Sequence, residues 1–137
     1  MRLMLDTNII VDILSARDGY EDSLQLLRYC ELGEVEGFVS AVTVTNVMYI
    51  LRKHIVPSQV RTAVQTLLLL IDVANVTKSD ITSAFASEMR DYEDAVQSSC
   101  ARRMGAKYIV TRNLKDFLKS QVPAISPLEA LEILAAM

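Results

Sequence analysis

The chain has 137 residues, 51% of them hydrophobic and 23% charged, which suits one packed domain over residues 1–137 and excludes a disordered chain. A net charge of -3 excludes a broadly basic nucleic-acid binder. Two cysteines, Cys30 and Cys100, without metal-type spacing, and one histidine, His54, argue against a disulfide framework, a histidine-built metal site and a serine-protease triad.

The first stretch, Leu3-Met4-Leu5, reads as a buried strand. A polar corner, Asp6-Thr7-Asn8, follows it, and Ile9, Ile10, Ile13 and Leu14 then fall at helical spacing. Asp6 therefore stands where a strand ends. It can be a metal ligand, a nucleophile or a local cap, and Asn8 or Thr7 can also cap the helix. Asp12, two turns into that helix, is expected to face solvent. Nothing in Met1–Asp6 resembles a secretory leader, and the longest apolar run, Leu67–Ile71, is far too short to span a membrane. The two thiols are read as those of a reduced, cytoplasmic protein.

Arg17-Asp18-Gly19 makes a turn, and Tyr20 to Leu32 forms a helix with Leu24, Leu27 and Cys30 inward, stopped by Gly33. Gly37 to Ala41 reads as the second strand. Thr43 to His54 reads as a helix with Val44, Val47, Met48 and Leu51 inward. Pro57 breaks the chain before a helix over Ser58 to Leu70, and Ile71 to Val76 alternates as a strand. Ser79-Asp80 caps a helix running to Met89, and Asp91 caps another running to Met104, where Gly105 stops it. Lys107–Thr111 and Val122–Ile125 read as strands, with a short helical turn over Leu114–Leu118 between them. Ser126 and Pro127 open a terminal helix reaching Met137. Strands alternating with helices predict a three-layer α/β/α sandwich around a mostly parallel sheet of about five strands.

The acids carry the chemical signal. Asp6 ends the first strand; Asp91 and Asp94 lie three apart at a helix start; Asn113 and Asp116 follow the strand ending at Thr111. If these termini share one sheet edge, the carboxylates converge and demand a cation or a proton. A hard divalent ion with oxygen ligands answers that demand and can activate water against a phosphodiester. Each acid also has a local reading: Asp91 is a good N-cap, Asp94 sits where a capping-box acid would, and Glu93 is expected to point outward. Between Cys100 and Ser120, Arg102, Arg103, Lys107, Arg112, Lys115 and Lys119 face Asp116 alone. That run is a solvated basic face or a phosphate-binding one.

Leu5-Asp6-Thr7-Asn8, Val39-Ser40-Ala41-Val42-Thr43, Asp91-Tyr92-Glu93-Asp94-Ala95, and Ile109-Val110-Thr111-Arg112-Asn113 with Lys115-Asp116-Phe117 together resemble, in order, the PIN-domain family. The resemblance is to its small bacterial branch, which includes the VapC-like toxin ribonucleases. It implies an endoribonuclease using Mg2+ or Mn2+, the toxin of a toxin–antitoxin pair, with RNA as substrate, an antitoxin protein as partner and a homodimer as assembly. Residue by residue it implies Asp6, Asp94, Asp91 and Asp116 as catalytic acids, with Asp6, Asp94 and Asp91 holding the metal. Asn8, Asn46, Thr111 and Asn113 would support the site, and Arg112 and Lys115 would bind RNA. Asn46 departs from the pattern, which has an acid there. An amide is a weaker pull on a cation, so the alternative is a catalytically degenerate RNA- or protein-binding module of the same fold. A haloacid-dehalogenase type phosphatase would want an aspartate where Asn8 stands.

Overall fold

The computed structural model describes residues 1–137. Five strands, β1 (Arg2–Leu5), β2 (Glu36–Ser40), β3 (Asp72–Ala74), β4 (Tyr108–Val110) and β5 (Ala124–Ile125), form one sheet in the order β3-β2-β1-β4-β5. Every pairing is parallel. Seven helices surround it: α1 (Thr7–Ser15), α2 (Tyr20–Glu31), α3 (Ala41–Leu51), α4 (Pro57–Leu67), α5 (Lys78–Ala84), α6 (Tyr92–Arg103) and α7 (Pro127–Ala135), with a 3-10 turn at Leu114–Phe117.

Side chains alternate across the sheet, so the core is split in two. Leu3, Leu5, Val39 and Val110 pack with α1, α2, α3, α4 and α7 on one face. Met4, Phe38 and Ile109 pack with Cys100 and Ala101 of α6 and Phe117 on the other. The expected α/β/α layering is thus realised. Gly37 admits α2 closely: a Cβ there would sit 2.7 Å from the Cys30 thiol sulfur. The two layers are also tied by polar groups. The Thr7 hydroxyl of α1 lies 3.1 Å from that of Thr43 on α3, which accepts a 2.7 Å hydrogen bond from Gln97 Nε2 of α6.

Several boundaries differ from the sequence reading for local reasons. Of the caps the sequence offers for α1, Asp6 takes the role and Asn8 and Thr7 do not, the Asp6 Oδ1 accepting the Thr7 N–H at 2.8 Å. On α2, Leu24 is 48% exposed, and Ser23 and Leu26 take the inward positions beside Leu27 and Cys30. α3 starts at Ala41 because Ser40, the last residue of β2, is already its cap. Pro57 opens α4 at its first turn instead of preceding it. α5 is capped by Thr77 in a box closed by Asp80, and it stops at Ala84. Asp12 is buried at 4% exposure instead of facing solvent. No helix is long and apolar enough to cross a membrane.

Candidate active site

The strand order reverses between β1 and β4, and the crevice outside their carboxyl ends is where an open parallel sheet offers a ligand site. Asp6 leaves β1 at that point, its N–H bonded to the Val110 carbonyl at 3.0 Å. Its Oδ2 accepts from the Thr111 hydroxyl at 2.8 Å and from Asn8 Nδ2 at 3.0 Å. Thr111, fully buried, also takes the Asn113 N–H at 3.1 Å. One carboxylate is therefore fixed by the start of α1 and by the residue that follows β4. Burial pushes the Asp6 carboxyl above its ordinary range against the bonds from Thr111, Thr7 and Asn8, and the charge of Asp116 adds to that push.

The start of α6 supplies the next acids. Asp91 caps the helix, its Oδ1 accepting the Asp94 N–H at 3.0 Å. Asp94 is pushed up to about 7, first by burial and then by Asp6, Asp91, Asp116 and Glu93. Glu93 is exposed, as expected, but it is not idle. It lines the same cleft, accepts a hydrogen bond from Asn46 Nδ2 on α3, and is pushed up by burial and by Asp91 and Asp6. The cleft, about 210 Å³, is lined by Asp6, Glu93, Asp94, Asn113 and Asp116, with Thr7, Asn8 and Arg17.

Asp6, Asn8, Asp94, Asn113 and Asp116 thus meet as the sequence reading requires. Asp91 stands behind them, spending one oxygen on the cap while its charge still reaches Asp94. Asn46 reaches the site through Glu93 rather than by lining it. Arg112 donates its backbone N–H to Asn8 Oδ1 at 3.3 Å, and its Nη1 to Asp12 Oδ1 at 3.0 Å. Lys115 lies in a neighbouring groove of about 480 Å³ with Arg90 and Lys119, and Asp116 is common to both depressions. Glu93, Arg17 and Asp12 escaped the sequence reading. For Glu93 the available signal was its place inside Asp91–Asp94, at the same helix start as two acids already suspected.

The donor set is all oxygen, the chemistry that suits a hard divalent ion. No group of three or more His, Cys, Asp or Glu is gathered as a ready-made metal cage. One or two carboxylates completed by water are the usual arrangement for magnesium, and Asp6 with Asp94 fits it. Burial raises both carboxyls first; Asp116 adds to the push on Asp6, and Asp6, Asp91, Asp116 and Glu93 add to that on Asp94, a demand that such an ion would satisfy.

A sequence profile for the PIN domain matches residues 2–115. No curated protein sequence matches the chain significantly. Among solved structures, the chain is similar to DNA-bound VapBC from Salmonella typhimurium, with 17% identity over 93% of this chain and 98% of that one and a TM-score of 0.73. It is similar to a toxin–antitoxin complex from Klebsiella pneumoniae, with 23% identity, coverage of 91% and 97%, and a TM-score of 0.67. It also resembles VapC20 of Mycobacterium tuberculosis, a sarcin–ricin loop cleaving toxin, at 15% identity over 78% and 86% of the two chains and a TM-score of 0.64. With that profile matching residues 2–115, most of its length, the chain belongs to the PIN-domain family.

Proposed function

We propose that this protein is a divalent-metal-dependent endoribonuclease acting as the toxin of a toxin–antitoxin pair. The observation that carries this reading is the convergence of Asp6, Glu93, Asp94 and Asp116 on one cleft at the switch point of the sheet. Mg2+ or Mn2+ held by Asp6 and Asp94 would supply charge stabilisation to a phosphodiester under attack by water. Thr111 and Asn8 hold Asp6 in one orientation. Asp91 holds the first turn of α6, so that Asp94 and Glu93 keep their places. Asn113 offers an amide for orienting a water or a ribose hydroxyl.

The similar Klebsiella structure is a toxin–antitoxin complex, which supports an antitoxin protein as partner. Exposed Tyr49 on α3, Val56 before α4 and Leu69 after it offer apolar area for a homodimer contact. The reading places the whole of residues 1–137 in one PIN-like unit working in the cytoplasm on RNA. A second reading, a binding module that does not cut, rests on Asn46 standing where an acid is expected. Purified protein incubated with mixed RNA in magnesium, manganese or chelator, beside Asp94→Asn, separates the two. Metal-dependent cutting that disappears in Asp94→Asn is expected. An Asp94→Asn protein that cuts like the parent would overturn the nuclease reading, and a parent that neither cuts nor binds metal by titration would leave the binding module.

A further inference from the structure

One cation lines the acidic cleft, Arg17, and it is not spent on the cleft acids; Arg112 joins it on a shared partner, Asp12. Arg17 lines the cleft, yet its ion pair is with Asp12, Nη1 to Oδ1 at 3.8 Å, beyond hydrogen-bond reach. Arg112 Nη1 holds the same Asp12 oxygen at 3.0 Å. The Asp12 side chain is 6% exposed, whereas those of Arg17 and Arg112 are 42% and 46% exposed. A buried carboxylate is retained only when cations meet it, and here the two that do so turn open guanidinium edges to solvent. A continuous path links them to the acids: Arg112 N–H to Asn8 Oδ1, then Asn8 Nδ2 to Asp6 Oδ2.

We propose that Arg17 is a substrate-contacting residue that takes a non-bridging oxygen of the RNA phosphodiester, that Arg112 takes a neighbouring phosphate oxygen, and that Asp12 is the positioning residue presenting both. This rests on the ribonuclease reading and names how the same cleft receives its anion. Carboxylates alone repel a phosphodiester. A planar guanidinium fork matches two phosphate oxygens, and one oriented by a buried carboxylate loses less freedom on binding than a free surface arginine. An arginine beside the reacting phosphate also meets the charge that builds as water attacks.

The test is binding of a fluorescent single-stranded RNA in chelator, followed across salt concentrations, for the parent, Arg17→Gln, Arg17→Lys, Arg112→Gln and Asp12→Asn. Thermal melts are recorded for each variant. Arg17→Gln is expected to weaken binding roughly three- to tenfold and to reduce the salt slope by roughly 0.7, the share of one phosphate contact on a single strand. Arg17→Lys should keep the slope while losing part of the affinity. Asp12→Asn is the sharpest arm. Deleting a negative charge should tighten RNA if charge alone mattered, whereas loss of positioning weakens it. Arg17→Gln binding RNA with the parent's affinity and slope, or a folded Asp12→Asn binding more tightly, would overturn the proposal. Should Asp12→Asn fail to fold, the exposed Arg17 and Arg112 variants still decide. Cleavage by the parent in magnesium or manganese is scored separately. A parent that cuts while Arg17→Gln is indistinguishable from it overturns only the arginine assignment. A parent that never cuts but binds RNA through Arg17 overturns only the nuclease.

Discussion

Asp80 and Asp94 occupy the same local position, the third residue of consecutive helices α5 and α6, and meet opposite fates. Asp80 closes its capping box: Oδ2 accepts the Thr77 N–H at 3.0 Å, Ser99 donates to Oδ1 at 2.9 Å, and Arg103 Nη2 pairs with Oδ2 at 2.9 Å. Burial works against its ionisation, but Arg103, Thr77 and Ser99 hold the carboxyl below its ordinary range. On α6 the cap is one-sided. Asp91 accepts from the Asp94 N–H, while the Asp94 carboxylate meets the charges of Asp6, Asp91, Asp116 and Glu93 and makes no ion pair of its own. Helix-start chemistry is therefore the same in both places. What lies across the gap decides whether the acid holds the fold or waits for a ligand.

Exchange of the two side chains for amides should separate these roles. Asp94→Asn is expected to lower RNA cleavage by more than about 100-fold, since even outer groups around a metal site cost 10- to 100-fold. Its melting temperature near neutral pH should hold or rise, because one repelling carboxylate is gone. Asp80→Asn should do the reverse. Breaking the pair with Arg103, which stays a third exposed, costs about 2–3 kcal/mol in a denaturant melt, with cleavage by the remaining folded protein little changed. Equal stability loss in both variants would erase the distinction.

Proton linkage sharpens the contrast. The folded protein holds the Asp94 proton up to about pH 7, above the unfolded value, so Asp94 stabilises the metal-free fold in acid and that contribution is lost as pH rises toward 7. Asp80 runs the other way, its contribution present above the unfolded carboxylate pKa and lost as pH falls through its depressed folded value. Metal-free thermal melts should therefore fall by a few degrees (roughly) between about pH 5 and about pH 8 in the parent and stay flatter in Asp94→Asn. Added magnesium should recover stability most at the alkaline end. Calorimetric titration of magnesium in buffers of differing ionisation heat should show protons released on binding, and a buffer-independent heat would contradict the Asp94 assignment. A smaller effect is expected next door. Glu93→Gln should weaken magnesium binding roughly tenfold at most, and Thr111→Val, which removes a hydrogen bond to Asp6, should cost about 1 kcal/mol of stability.

Much of this site was legible because it is built from local rules. A strand ending in an acid placed Asp6, and an Asp-x-x-Asp helix start placed Asp91 and Asp94. A polar run after a strand placed Asn113 and Asp116. Periodicity names the face of a helix but not the element that comes to meet it. The place of Glu93 at the cleft was missed because its partner Asn46 lies 47 positions away, and Asp12 was misplaced because its partner Arg112 lies 100 away. The sheet margins were read too long for a related reason. Alternation over Ile71–Val76 and the short strand read over Val122–Ile125 both extend beyond the assigned strands, which the neighbouring strand limits to Asp72–Ala74 and Ala124–Ile125.

The hydroxyl and amide chain Thr7–Thr43–Gln97 carries a mechanical consequence. It joins helices from opposite faces of the sheet close to the acidic cleft, with links of 3.1 and 2.7 Å, and Thr43 and Gln97 are both about 1% exposed. The two helical layers cannot part at this edge without breaking buried hydrogen bonds, whose polar ends would then be stranded. With the layers held together at this edge, the motion left to the cleft is rotation of lining side chains such as Glu93 and Arg17. A ligand entering this cleft would then meet the fast regime of rotamer exchange rather than the slow regime of hinge motion.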